Sequence, residues 1–133
     1  MVKVYISHSI RGVKGTDATH EDMVENNHKA IVFGALLKLK FPHIDFYVPG
    51  DHDEWVLAAY EEGIVTEEQI LLIDCQILQK RNILINYIHD QHISDGMLVE
   101  NMFAQQNGIP IYLAKDVDAA VTILNRALED LKG

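Results

Sequence analysis

The chain reads as a doubly wound α/β domain, a parallel sheet with helices on both faces. Two observations predict this. Short runs rich in β-branched and aromatic residues stand at 2–7, 44–48, 83–88 and 109–114, the pattern of strands buried on both sides. Longer stretches with helical spacing of apolar residues separate them, so strand and helix alternate along the chain. The size fits: 133 residues, 48% hydrophobic and 23% charged with three prolines, suit one folded domain around one core.

Each element has its own signal. After the first strand, VKVYIS, comes the polar stretch HSIRG. The first helix opens at Thr19, whose T-x-x-D spacing to Asp22 is that of a capping box, and runs to about Lys40 before Pro42. The second strand, at 44–48, leads into PGDHDEWVLAAYEEGIV, longer than a plain crossover needs and read as a loop with a short helix around 54–61. A further helix opens at Thr66, with Gln69 three residues on, and continues to about Arg81. The third strand, at 83–88, is followed by HDQHISDG and a helix from Gly96 to about Gln106, closed by Asn107-Gly108. The last strand, at 109–114, precedes a helix from Asp116 to about Leu131 with Val117, Ala120, Val121, Leu124, Leu128 and Leu131 on one stripe. The expected arrangement is a single domain of Rossmann- or flavodoxin-like type over residues 1–133, whose ligands would bind beyond the carboxyl ends of the strands. That places attention on SHSIRG and HDQHISDG.

Charge and composition exclude several classes. A formal net charge of −9, from 20 acidic and 11 basic residues, disfavours non-specific binding to nucleic acid or to an anionic membrane. No run approaches the roughly 18 to 20 apolar residues of a membrane span, and a strand beginning at once predicts no leader peptide. The single cysteine, Cys75, allows no intrachain disulfide and suits a reducing, cytoplasmic setting.

Against this background a few polar residues stand out. On the helix 66–81, Ile70, Ile73, Ile77 and Leu78 define the expected buried stripe, and Asp74 falls inside it. A carboxylate there must be paired, hydrogen-bonded or face a cavity. It is either a structural Asp holding a loop or an Arg, or an acid with a raised pKa suited to proton donation. Glu100 lies one turn from Met97, Phe103 and Ala104, near the start of its helix. It is either a surface glutamate or a carboxylate directed into the cleft. Ser7, Ser9, Arg11, Gly12 and Gly15 offer hydroxyls, a guanidinium and exposed N–H groups for an anion. Their spacing is neither a Walker A loop nor a dinucleotide turn. Ser94 could cap its helix or join the same anion. His89-Asp90-Gln91-His92 and Asp51-His52-Asp53 hold metal-ligand types without a zinc spacing, so no metal and no cofactor is expected. Trp55, Tyr60 and Tyr47 could stack on a planar group or belong to the core.

Three ordered motifs carry a family resemblance. Tyr5, Ser9, Ile10, Arg11 and Gly12 make Y-x-x-x-S-I-R-G; Asp74, Leu78 and Gln79 make D-x-x-x-L-Q; Ser94, Gly96 and Glu100 make S-x-G-x-x-x-E. Together they resemble the nucleoside 2-deoxyribosyltransferase-like superfamily, and most of all its 2′-deoxynucleoside 5′-monophosphate N-glycosidase (N-hydrolase) branch. The match spans Tyr5 to about Ala114. It departs at His8, where a small residue is usual, at Met97 and Asn101 around the third motif, and in the long segment 49–65.

The resemblance implies cleavage of the N-glycosidic bond of a (deoxy)nucleoside 5′-monophosphate. Glu100 would be the nucleophile that forms a glycosyl-enzyme, Asp74 would orient the nucleotide or assist protonation of the departing base, and Tyr5 would line the sugar pocket. Ser9, Arg11, Gly12, Ser94 and Gly96 would hold the 5′-phosphate. Asp51, Asp53 and Trp55, in the segment 49–65 that departs from the family, are assigned to the base side from their residue types alone. The resemblance also implies a homodimer, with a nucleotide as the small-molecule partner. A base-exchanging nucleoside deoxyribosyltransferase is the alternative enzyme. VYISHS is also similar to the first strand of TIR-like domains, which keeps a non-catalytic nucleotide sensor open.

Overall fold

The structure is a computed structural model that describes residues 1–132; the side chains of Asp53, Leu57 and Lys132 and the whole of Gly133 lie outside the described residues. Four parallel strands, β1 (Lys3–His8), β2 (Asp45–Tyr47), β3 (Ile83–Tyr87) and β4 (Ile111–Ala114), form one sheet in the order β2-β1-β3-β4. Helices α1 (His20–Lys40), α2 (Asp53–Glu61), α3 (Glu67–Leu78), α4 (Asp95–Gln106) and α5 (Val117–Lys132) fill the connections. This is the α/β, Rossmann-like arrangement expected, and its strand order follows the first four strands of the flavodoxin-like pattern. The order reverses between β1 and β3, so the crevice beyond their carboxyl ends is where such a sheet binds ligands.

Local chemistry sets the helix starts. Thr19 and Thr66 each accept a hydrogen bond from the N–H three residues on, and Asp22 and Gln69 reach back to the Thr N–H, completing two capping boxes. Such caps contribute about 1 kcal/mol apiece. Ser94 caps α4 by accepting from the Met97 N–H at 3.3 Å.

Strand alternation divides the core into two layers. Val4, Ile6, Ile83 and Ile85 turn toward α1 and α5, where Ala30, Phe33, Leu37, Ala120 and Leu124 close the larger cluster. Tyr5 and Leu84 turn the other way, against Leu78 of α3 and Ala104 of α4. A wholly buried leucine such as Leu37 or Leu124 contributes roughly 1.5–3 kcal/mol by leaving water. Gly34 lets α1 lie close to the end of β2: an added Cβ would stand 2.5 Å from Val48 Cγ2.

Three expectations are corrected. A six-residue 3-10 stretch, Gly12–Asp17, occupies what reads as plain loop; Gly12 and Gly15 supply its positive φ values of 66° and 54°. Ile73 is 48% exposed and does not belong to the buried stripe of α3, which runs instead through Cys75 and Leu78 with Asp74 half-buried beside them. Leu131 is 51% exposed and lies outside the buried stripe of α5. Among the described residues no helix is long and apolar enough to cross a membrane.

Candidate active site

Glu100 is the best-defined polar feature of the molecule. The buried side of α4 is Met97, Glu100 and Ala104, so the helix directs a carboxylate at the sheet and leaves it 5% exposed. Two hydroxyls from β1 meet it. Tyr5 and Ser7, two residues apart and hence on one face of the strand, are both wholly buried. The Tyr5 hydroxyl donates to Oε2, and the Ser7 hydroxyl donates to Oε1 at 2.8 Å. One donor therefore serves each carboxylate oxygen.

Burial pushes the Glu100 carboxyl up to about 7, while the Tyr5 and Ser7 hydroxyls pull it down and the charge of Asp74 adds to the rise. The Tyr5 phenol is held well above its ordinary range, first by burial and then by the charges of Glu100 and Asp74. It therefore stays a donor. A carboxyl poised near neutrality can serve as nucleophile or carry a proton.

Asp74 belongs to the same neighbourhood. It projects from α3, which packs beside α4, and its charge is felt at Tyr5, Tyr47, Cys75 and Glu100. The two acids found separately on two helices thus share one side of the sheet.

The remaining predicted residues are placed differently. Ser9 is buried and its Oγ accepts from the Gly12 N–H at 2.8 Å, closing the turn on itself. Arg11 leans outward, with its guanidinium 3.5 Å from Glu67 at the start of α3. Gly12 packs closely: an added Cβ would stand 3.0 Å from Asp90 Oδ2 and 3.1 Å from Asn26 Nδ2. Gly15 is in the same 3-10 stretch with open space around it. Ser94 is occupied as the helix cap, and an added Cβ on Gly96 would meet only Leu71 and Ser94 at ordinary contact distances. The turn after β1 follows Ser7 along the chain and the start of α4 precedes Glu100, and the hydroxyls of both are engaged locally.

On the proposed base side, Asp51 is exposed and Trp55 is 66% exposed, while the Asp53 side chain lies outside the described residues. The nearer aromatic pair is Tyr47 stacked on His52, with ring centres 5.2 Å apart. Tyr47 also lies 5.4 Å from Tyr5, linking that pair to the Glu100 clasp. His8, unusual for the resemblance, plays a structural part. Its Nε2 accepts from the Gly50 N–H at 3.1 Å and ties the 3-10 stretch Pro49–His52 to β1. Burial lowers its pKa to about 4, which keeps that nitrogen an acceptor.

The histidine-rich turn after β3 is used locally. His89 tilts against Tyr87, and the His92 N–H donates to Asp90 Oδ1 at 3.1 Å. Among the described residues no group of three or more His, Cys, Asp or Glu could hold a metal ion. Two surface grooves lie elsewhere. One is lined by Lys3, Ile77 and Arg81, the other by Lys29, Phe33 and Tyr87, and neither includes Tyr5, Asp74 or Glu100.

Ser7 is the principal correction. Its polar neighbours suggest a donor for an anion at the end of the expected strand, yet it turns inward from β1 and donates to Glu100. The two-residue spacing from Tyr5 is the signal that could have found it. Asn86 and Asn101 carry no such signal in the sequence. Asn86 is wholly buried on β3, in register with Ser7, and its amide donates to Asn101 Oδ1 at 3.0 Å and to the Tyr112 carbonyl at 3.3 Å.

No protein-family model, curated protein or solved structure matches this chain.

Proposed function

We propose that the protein is a nucleotide N-glycosidase that hydrolyses a (deoxy)nucleoside 5′-monophosphate to free base and (deoxy)ribose 5-phosphate. One observation carries this: a glutamate buried against the sheet, clasped by Tyr5 and Ser7, with a second carboxylate, Asp74, in its electrostatic neighbourhood. Glu100 Oε attacks the anomeric carbon as the bond to the base nitrogen breaks, giving a glycosyl ester and a departing base that takes up a proton. Asp74 orients the nucleotide or supplies that proton. Water then cleaves the ester and releases the sugar phosphate, restoring the Glu100 carboxyl group. The phosphate would bind at the turn 9–12 and the start of α4, with Arg11 exchanging Glu67 for the ligand.

Base exchange between nucleosides, the reaction of a deoxyribosyltransferase, has a specific observation in its favour. Glu67 and Asp90 place negative charge around Arg11 and Gly12, which suits a sugar without a phosphate.

We further propose a homodimer formed through the outer sides of α3 and α4. Leu72, Ile73, Leu98, Val99 and Met102 are exposed there, and Glu100, buried, is the only charged residue between Gly96 and Ala114. In a chain of net charge −9, the apolar outer side of α4, which carries no exposed charge from Gly96 to its end, is where a second copy can approach with least repulsion.

A panel of ribo- and deoxyribonucleoside monophosphates, and of nucleosides with a competing free base, assayed by chromatography separates these readings. Free base with equimolar sugar phosphate supports the glycosidase; exchange without loss of sugar supports the transferase. Tight binding with no base released over hours would replace both with a sensor.

A further inference from the structure

Glu100 needs more than one donor if its carboxylate is to keep a single orientation. The end of a glutamate side chain rotates broadly about its last bond. Tyr5 alone, gripping Oε2, would leave Oε1 free to swing about that contact. Ser7 removes this freedom: it is wholly buried, fixed within β1 by pairing to β3, and 2.8 Å from Oε1. A second link anchors the helix that carries the carboxylate. Asn86, directly across from Ser7 on β3, holds Asn101, the residue after Glu100.

We propose that Ser7 is a positioning residue for Glu100: its hydroxyl holds Oε1, and with Tyr5 on Oε2 it fixes the plane of the carboxylate and favours its ionised form. Asn86–Asn101 holds the helix turn, and Ser7 holds the reacting group itself. The consequence for catalysis rests on Glu100 being the nucleophile, whereas the consequence for its titration does not. Without the Ser7 hydroxyl, Oε1 loses its donor inside an apolar layer, and the carboxylate binds its proton more tightly.

The test is a carbon-13 NMR titration of the Glu100 carboxyl in the wild type, Ser7→Ala and Ser7→Thr, with the fold of each verified by its amide spectrum. The wild type should titrate at about 7. Ser7→Ala should titrate higher, its proton affinity raised about three- to tenfold, and Ser7→Thr, which keeps a hydroxyl, should return most of the way. If Ser7→Ala does not fold, Ser7→Cys, a weaker donor of similar shape, should show a smaller rise in the same direction. A folded Ser7→Ala that titrates with the wild type would overturn the proposal. Asn101→Leu serves as the structural control and should lower the melting temperature with less effect on the titration; a shift as large as that of Ser7→Ala would also count against a distinct role for Ser7. Base release read in parallel separates the two ideas. A Ser7-dependent titration in a protein that releases no base leaves the positioning role standing and removes the glycosidase.

Discussion

Two groups of polar residues leave the end of β1, and the fold treats them in opposite ways. Tyr5 and Ser7 lie within the strand, point to one side, and spend both hydroxyls on a glutamate from a helix almost a hundred residues later. Ser9 and Arg11 lie just beyond the strand; one closes its own turn and the other reaches a surface glutamate. The first group is dry and its interactions are charge-assisted, so each contact is strong. In the second, Ser9 is buried but Arg11 is exposed, and the Arg11–Glu67 pair contributes about 1 kcal/mol at most. The contrast separates their roles. On the proposed function, the inner group would prepare a reacting carboxylate, while the outer group would exchange its partners for a ligand.

The largest effect should come from removing the inner acid. Glu100→Gln should lower base release on the order of 10³-fold or more, with nucleotide binding retained in equilibrium dialysis. Undiminished turnover would erase the distinction between the two groups. Asp74→Asn should cost about 100-fold in kcat, more for bases that are poor leaving groups. An equal loss for all bases would restrict Asp74 to orienting the substrate.

The outer group should give smaller, substrate-dependent effects. Arg11→Ala should raise KM for monophosphates about tenfold and leave nucleosides nearly unchanged. Glu67→Ala, which frees the guanidinium, should lower KM for monophosphates about two- to threefold. Equal losses with nucleosides and monophosphates in the Arg11 variant would contradict the phosphate site.

Stability should reveal the cost of the inner site. Glu100 binds its proton more tightly when folded, so its contribution is intact below about 4.5 and is lost as pH rises to about 7. His8 acts in the opposite sense, costing stability as pH falls from 6.5 to about 4. The two oppose each other between pH 4.5 and 6.5, and Glu100 alone acts above that window. Glu100→Gln should therefore be more stable than the wild type at pH 8, by about 1–3 kcal/mol in urea denaturation, with no such gain at pH 4. A variant less stable than the wild type at both pH values would show that the Tyr5 and Ser7 contacts outweigh the burial of the charge.

What is legible in the sequence follows the same division. Periodicity and caps locate the strands and α-helices, though not the 3-10 stretches, to within a few residues, because Thr19, Thr66 and Ser94 act on their own backbone neighbours. The one-turn spacing of Glu100 to Met97 and Ala104 leaves a surface and a cleft position equally open, and only the packing of α4 on the sheet buries it. Ile73 is misplaced by spacing because α3 is apolar on nearly every side, so periodicity alone cannot choose which isoleucine faces inward. Ser7 falls into the wrong group because it ends the expected strand beside the polar run HSIRG, and its inward partner, Glu100, is distant in the sequence. The pairing of Asn86 with Asn101, and the stacking of Tyr47 on His52, depend on packing between distant or loosely patterned segments, which the linear order does not encode.

The central claim is that the clasped carboxylate forms a covalent bond to the sugar. Its most direct test is the intact mass of enzyme quenched in acid during turnover of a nucleoside monophosphate, followed by peptide mapping. The account predicts a sugar-phosphate adduct on the peptide bearing Glu100 in the wild type and none in Glu100→Gln. Base release that continues at full rate in Glu100→Gln, with no adduct in either protein, would contradict it.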